Sequence, residues 1–568
     1  MPPDSAVGFA PADWALLLVT AIFLFAAFVW RPGVRRAFEA LAEKRITCLV
    51  GLFLLPIALR LLLLPHHPVP TPDIYDEFSQ LLVADTLLHG RLANPPHPMP
   101  QFFETFFVLQ RPTYSSMYPL GQGALLALGR LISGIPWTGV LVASGAFCAS
   151  CYWMLRGWVA PGWALLGGVL VVIEFGPLCQ WTNTYWGGGL LAAAAGCLVF
   201  GALPRLREYG RPRDAILLGL GFGVHMLTRQ FESVFLLLAV VIFFMPEISC
   251  REKWAKLTRS GAFAFGVLIP VCILILLQNR AVTGSWTTLP EQLHQYQYGV
   301  PVSLTFEPVV APHVSLTPEQ QMDYRAESLQ HGQGTDTPEK FLLRLEFRVR
   351  YYRFFFLPPL YLALLAFLFA VRDWQMRWVA ITLAIFALGT NLFPYLLLHY
   401  LAAVTCLFVL VSVVGLRQLS CLRIRKARVG EQIAFVLIIL CLAEFGGWYV
   451  IHLFESPSLY PLMRYETWDS INHDSPQRRI EVREQLASIG GPLLVFVRYS
   501  PHHIYQNEWV WNEADINHAR IVFARDLGPE EDAKLIRYYS RRKVFLLEPD
   551  GATPKISEYD RRVIVQEP

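Results

Sequence analysis

Apolar runs alternate with short polar connectors along most of the chain. The runs cover residues 12–30, 46–64, 140–155, 163–178, 190–203, 215–227, 234–244, 262–277, 354–371, 378–388, 396–416 and 433–453. A span of a bilayer needs about 20 apolar residues, so these runs predict about twelve transmembrane helices, the shorter ones completed by polar residues at the interface. A further run, 120–132, holds Gly121, Gln122, Gly123, Gly129 and Arg130 and breaks the alternation if it crosses. At about 13 residues it suits a helix lying in the interface. The fold class expected is an all-α polytopic membrane protein with one interfacial helix in its first long loop.

Basic residues orient the spans. Arg31, Arg35, Arg36, Lys44 and Arg45 follow the first run, where a cleavable signal would carry its charges in front, so this run reads as a span. Positive charge marks the cytoplasmic side, and alternation then makes 205–213, 251–259, 372–377 and 417–428 inner connectors. The long polar segments all fall outside: 66–119, 279–353 and a tail from residue 455. The tail predicts a small α/β unit, with helices 477–487 and 530–539 and strands 493–498, 521–524 and 544–548. At about 110 residues it is long enough for a core of its own. Three units are expected: an extra N-terminal helix and connector (1–45), a transmembrane core (46–455) and an extracytoplasmic α/β domain (456–568).

Composition agrees with this. Of 568 residues 54% are hydrophobic and 16% charged, with mean hydropathy +0.39, which places the chain in lipid. The net charge of +4 leaves no polybasic surface for nucleic acid. The ten cysteines lie in apolar runs or the connectors between them, which excludes a disulfide framework in the loops.

Chemistry is therefore sought in the outer loops. The first opens with Pro72-Asp73-Ile74-Tyr75-Asp76-Glu77-Phe78, then a helical pattern ending at His89-Gly90. Asp76 and Glu77 fit two roles, acids favoured by the helix dipole in a first turn, or reactive carboxylates. His97, Glu104 and Tyr114 follow, interleaved with phenylalanines that suit a surface where lipid meets a polar substrate. Arg229 with Glu232, Asn279-Arg280, the stretch around Tyr298, and His399-Tyr400 complete an outer rim. Inside the spans Arg60, Glu174, His225 and Glu444 are the ionisable residues. In the tail, His502, His503, Glu508, Asp515 and His518 match no metal-ligand spacing.

The chain resembles the type C glycosyltransferases, nearest the protein O-mannosyltransferase and lipid A aminoarabinose transferase branch. The resemblance rests on Asp76-Glu77 just after a span, the helix ending in His89-Gly90, and Pro119-Leu120-Gly121-Gln122-Gly123 opening an interfacial helix. Tyr118-Pro119-Leu120 departs from a His-Pro-Pro of the mannosyltransferases. The resemblance implies a polyprenyl-phosphate-linked sugar as donor, a lipid, glycan or protein as acceptor, inversion at the anomeric carbon, and Asp76 as catalytic base. Glu77 would orient the acceptor or hold a divalent cation. Arg229 and Arg280 would neutralise the leaving phosphate, with His97, Glu104, Tyr114, Tyr298 and His399 binding substrate. The location implied is a cell membrane with loops and tail facing the periplasm or exterior. The alternative is a transporter or flippase of a lipid-linked glycan, for which paired repeats and broken helices are expected and not found in the sequence.

Overall fold

The computed structural model describes residues 11–72, 74–248, 251–302, 304–332, 334, 336–454 and 477–559. Asp73 of the first loop and the start of the predicted tail domain lie outside the described residues.

Among the described residues, six helices are long and apolar enough to cross a membrane: Arg45–Leu62, Trp137–Leu155, Gly189–Glu208, Leu257–Thr283, Leu398–Ser420 and Val429–Phe454. Along the fourth, Phe265, Ile269 and Ile273 stand exposed at 70, 60 and 51% on one face, a stripe that suits lipid. The protein is a multi-pass membrane protein by the length and composition of these helices.

The count falls short of the twelve runs read from the sequence. Pro161–Phe175 has 15 residues, and Pro212–Thr228, Glu232–Ile248 and Trp374–Thr390 have 17 each. These helices are shorter than the roughly 20 residues of a typical span, the case in which flanking polar residues complete the crossing. The first run is a 33-residue helix, Pro11–Glu43, continuing through the basic residues assigned to a connector.

The run at 354–371 is not one straight helix. Pro338–Phe355 and Pro358–Arg372 meet at 110°. Pro358 and Pro359 sit at the break, where each lacks an N–H and the residue before a proline is driven out of helical geometry. The sequence reading found no broken helix, and this bend corrects it.

Helix Leu120–Ser133 forms where the interfacial helix was expected. It runs tightly beside its neighbours, since a Cβ on Gly121 would lie 2.3 Å from Thr228 Oγ1.

The tail is a four-stranded sheet in the order Ile521–Arg525, Leu493–Val497, Lys543–Glu548, Lys555–Glu558, parallel except for the last strand. Helices Gln477–Ser488 and Pro529–Tyr538 accompany it. Only the final strand was missed by the sequence pattern. One face of the sheet has a core within the tail, around Val482, Leu486, Val495 and Trp509. The other shares its core with the first loop, where Leu82, Phe102, Phe103 and Tyr114 pack with Phe496, Val522 and Leu535. The expectation of a self-contained tail core holds for one face and not the other.

Candidate functional site

The helix Tyr75–Leu88 decides how its two acids diverge. Neighbouring positions on a helix point about 100° apart, so Asp76 and Glu77 cannot face the same space. Glu77 turns inward at 6% exposure. Its Oε1 accepts from the Tyr185 N–H at 2.9 Å and its Oε2 from the Ile74 N–H at 3.4 Å, so it closes the first helical turn and ties it to a distant loop. Asp76 faces a cavity of about 410 Å³.

Tyr118 holds Asp76 in place. Its hydroxyl donates to Asp76 Oδ1, and its own backbone is fixed by Ser116 Oγ at 3.1 Å and Gln278 Nε2 at 2.9 Å. Burial pushes the Asp76 carboxyl up to about 6, against the pull of the Tyr118 hydroxyl and the nearby Arg229. A carboxylate tuned to that range is ionised at neutral pH yet basic enough to take a proton.

Arg229 lies on the same cavity, just past the end of helix Pro212–Thr228. Glu232 Oε1 accepts from Arg229 Nε at 3.0 Å and from Nη2 at 2.5 Å, and the guanidinium lies 4.4 Å from the centre of the Tyr400 ring. The pair fixes one edge of the fork while the side chain keeps 17% exposure toward the cavity. His399, next to Tyr400, lines the same cavity, edge to face with Trp186 at 5.0 Å. That approach needs Gly187, where φ is +76° and a Cβ would lie 2.6 Å from the His399 ring.

Helix Pro318–His331 closes the cavity with Asp323 and Glu327, four apart on one face. Glu327 accepts from the Val302 N–H at 2.7 Å, and burial pushes its carboxyl up to about 7. Asp323 is raised too, by burial and by its neighbours Glu327 and Asp76, and its buried Oδ2 has no hydrogen-bond partner among the described residues. Glu291 and, from the tail, Tyr505 and Gln506 also line the space.

Of the residues singled out in the sequence, the structure gathers Asp76, Arg229 and His399 around one cavity together with Glu232 and Tyr400, and puts His97, Glu104, Tyr114, Arg280 and Tyr298 elsewhere. His97 accepts from the Met99 N–H at Nδ1 and meets the Tyr539 hydroxyl at 3.1 Å, a contact between loop and tail. The Tyr114 hydroxyl donates to the Asn512 carbonyl at 3.0 Å in the shared core. Tyr298 donates to Glu104 Oε2 at 2.9 Å, away from the cavity, where burial pushes Glu104 up to about 7. Arg280 is exposed and bonds the Gly284 carbonyl, so it cannot share a phosphate with Arg229. Arg60, buried in the last turn of its helix, donates to Asn183 Oδ1 at 2.7 Å and to the carbonyls of His67 and Pro68, which bind one connector to another.

Asp323 and Glu327 were missed because their helix lies in a long polar loop where acids are common. The signal was their four-residue spacing within a segment opened by Thr317-Pro318, with Thr317 Oγ1 accepting from the Gln320 N–H. No set of three or more His, Cys, Asp or Glu among the described residues is arranged to hold a metal ion. The expected divalent cation has no ready ligand set here, and Glu77 is committed to backbone.

This geometry makes Glu77 a structural residue. Glu77→Ala is expected to cost about 1–3 kcal/mol through two abandoned backbone donors, with activity per folded molecule changing far less than stability. Thermal melting beside a turnover assay checks this, and Glu77→Gln should recover part of the loss.

No family model matches the chain, and no curated protein matches it. Among solved structures it is similar to ArnT from Cupriavidus metallidurans in the apo state, with a TM-score of 0.49 and 10% identity over 88% of this chain and 93% of that one. ArnT bound to undecaprenyl phosphate gives 0.48 and 10%, over 89 and 94%. The apo oligosaccharyltransferase of Archaeoglobus fulgidus gives 0.44 and 13%, over 89% of this chain and 69% of that one.

Proposed function

We propose that this protein is a glycosyltransferase that moves a sugar from a polyprenyl-phosphate donor to an acceptor, at the outer face of a cell membrane. The observation that carries the reading is the placement of Asp76 and Arg229 on one cavity beside the apolar helices.

A polyprenyl phosphate is already a good leaving group, so the reaction asks for one base and one cation rather than the two carboxylates of glycoside hydrolysis. Asp76 takes the proton from the acceptor hydroxyl or amine as it attacks the anomeric carbon. The glycosidic C–O bond to the phosphate breaks on the opposite face, so the configuration inverts. The phosphate leaves with the bonding pair and meets the Arg229 guanidinium. Asp323 and Glu327 face the same space and are placed to hydrogen-bond sugar hydroxyls. The isoprenoid tail lies along the apolar helices, and the acceptor is a lipid, glycan or protein.

The bend at Pro358 and Pro359 does not touch this cavity, so it lends no support to transport through it. The test is transfer of radiolabelled sugar from a panel of polyprenyl-phosphate sugars into crude envelope acceptors by the purified protein. Donor consumption with labelled product is the expected result. An untouched panel, together with movement of the same lipids across proteoliposomes, would replace transfer by transport.

A further inference from the structure

The helix Tyr75–Leu88 has a second cavity on its other side. It measures about 450 Å³ and lies between the first loop and the tail. Trp509 and Trp511 come from the tail, Phe78 from the loop helix, and Gly134 and Pro136 from the end of helix Leu120–Ser133. Its charge is the opposite of the first cavity. Arg130, Arg479, Arg483 and Arg520 line it against Asp85 and Glu513.

Asp85 is already committed. Its Oδ1 pairs with Arg130 Nη1 at 2.8 Å and its Oδ2 accepts from the Ala514 N–H at 2.7 Å. Arg479 lies buried between the Phe78 and Trp509 rings, at 4.8 and 4.3 Å. Arg483 and Arg520 are exposed, and no ion pair of the described residues engages either. Arg520 is aimed by the carbonyls of Ala487 and Ile489, which accept from its Nη2 at 2.7 and 3.1 Å.

An exposed apolar surface adjoins the residues at the mouth. On the helix that supplies Arg130, Leu128, Leu131 and Ile132 are 46, 73 and 59% exposed, and Ile135 just beyond is 41% exposed. Two arginines with no ion pair among the described residues, Arg483 and Arg520, with indoles and an apolar rim together describe the chemistry of a membrane-surface headgroup site.

We propose that this cavity binds the phosphate-bearing headgroup of an anionic membrane lipid that is neither donor nor acceptor. Arg483 and Arg520 take the phosphate, and Trp509 and Trp511 pack on the glycerol region. The site touches the catalytic helix directly, since Trp511 Nε1 donates to the Phe78 carbonyl at 3.1 Å, two residues from Asp76. An occupied site joins tail, loop helix and membrane. It does not depend on which reaction the first cavity performs.

The test uses the full-length protein, equilibrated with vesicles of phosphatidylglycerol or of phosphatidylcholine with the same acyl chains, and reads retained lipid by native mass spectrometry and tryptophan fluorescence by titration. Wild type is expected to hold phosphatidylglycerol roughly tenfold more tightly, and Arg483→Gln with Arg520→Gln to lose that preference while Lys at both positions keeps part of it. Equal retention of the two lipids by wild type overturns the proposal, as does a full preference in the double Gln variant. Inorganic phosphate is the third probe: saturation by it with no lipid retained assigns the cavity to a free anion and overturns the lipid. Should the arginine variants melt early, Trp511→Phe in the otherwise intact chain must shrink the fluorescence change on phosphatidylglycerol, and an unchanged signal counts against the site.

Discussion

Asp76→Asn is expected to lower transfer by about 10²- to 10⁴-fold, the range by which a general base contributes, while leaving the protein folded. The amide keeps an acceptor for the Tyr118 hydroxyl but cannot take a proton. The pH dependence follows from the same carboxyl, which burial holds at about 6. Transfer rises tenfold per pH unit below that value and levels off above it, where the carboxylate is formed. The Tyr118 hydroxyl favours the ionised form, so Tyr118→Phe moves the inflection upward. A rate profile from pH 4.5 to 8.5 reads both, and a flat profile in wild type removes Asp76 from the chemistry.

Stability moves the other way. The folded carboxyl is raised from 3.8 to about 6, so its neutral form is the one the fold prefers. The protein has its full stability below the unfolded value and loses some of it as pH rises through about 6. Asp76→Asn removes that loss. The variant is expected to be more stable than wild type at pH 8, by at most about 3 kcal/mol, and equal to it near pH 4. A residue whose removal stabilises the fold while abolishing turnover is kept for its chemistry, and melting curves at the two pH values test this.

The sequence showed its regular elements well and its side-chain directions poorly, for one physical reason. Hydrophobic period reports which face of an element is buried, so the helices at 75–88 and 120–133 and the three parallel strands of the tail were legible. What lies against that face depends on contacts across hundreds of residues. Glu77 and Asp76 are adjacent in the chain, but the Tyr185 N–H that holds one and the Tyr118 hydroxyl that holds the other lie 108 and 42 positions away. His97 and Tyr114 had the right chemistry for a substrate loop, but the tail engages them through Tyr539 and the Asn512 carbonyl. Arg280 was grouped with Arg229 because both end an apolar run, yet Arg280 points outward between buried Asn279 and Val282. Several predicted spans form helices of only 15–17 residues, because composition alone does not fix where a helix stops. Asp323 and Glu327 needed the fold itself, which brings a polar loop helix over a cavity opened by the first loop.

Arg229 carries the second large effect, and its variants must separate phosphate binding from the support of Glu232. Glu232 is 2% exposed, and Arg229 is the cation that pairs with it. Arg229→Ala would leave that carboxylate buried without its partner and cost on the order of 3–5 kcal/mol, so lost activity in that variant alone says little about transfer. Arg229→Ala combined with Glu232→Gln removes both charges and is expected to restore most of the stability. Transfer in the double variant stays down by about 10²- to 10³-fold, because the leaving phosphate finds no guanidinium in the cavity. Arg229→Lys keeps a charge beside Glu232 but not a paired donor fork, so the apparent KM for donor should rise with a smaller fall in kcat. Wild-type transfer in the stable double variant would reduce Arg229 to a structural partner of Glu232, and the departing phosphate would then need another cation on the cavity wall.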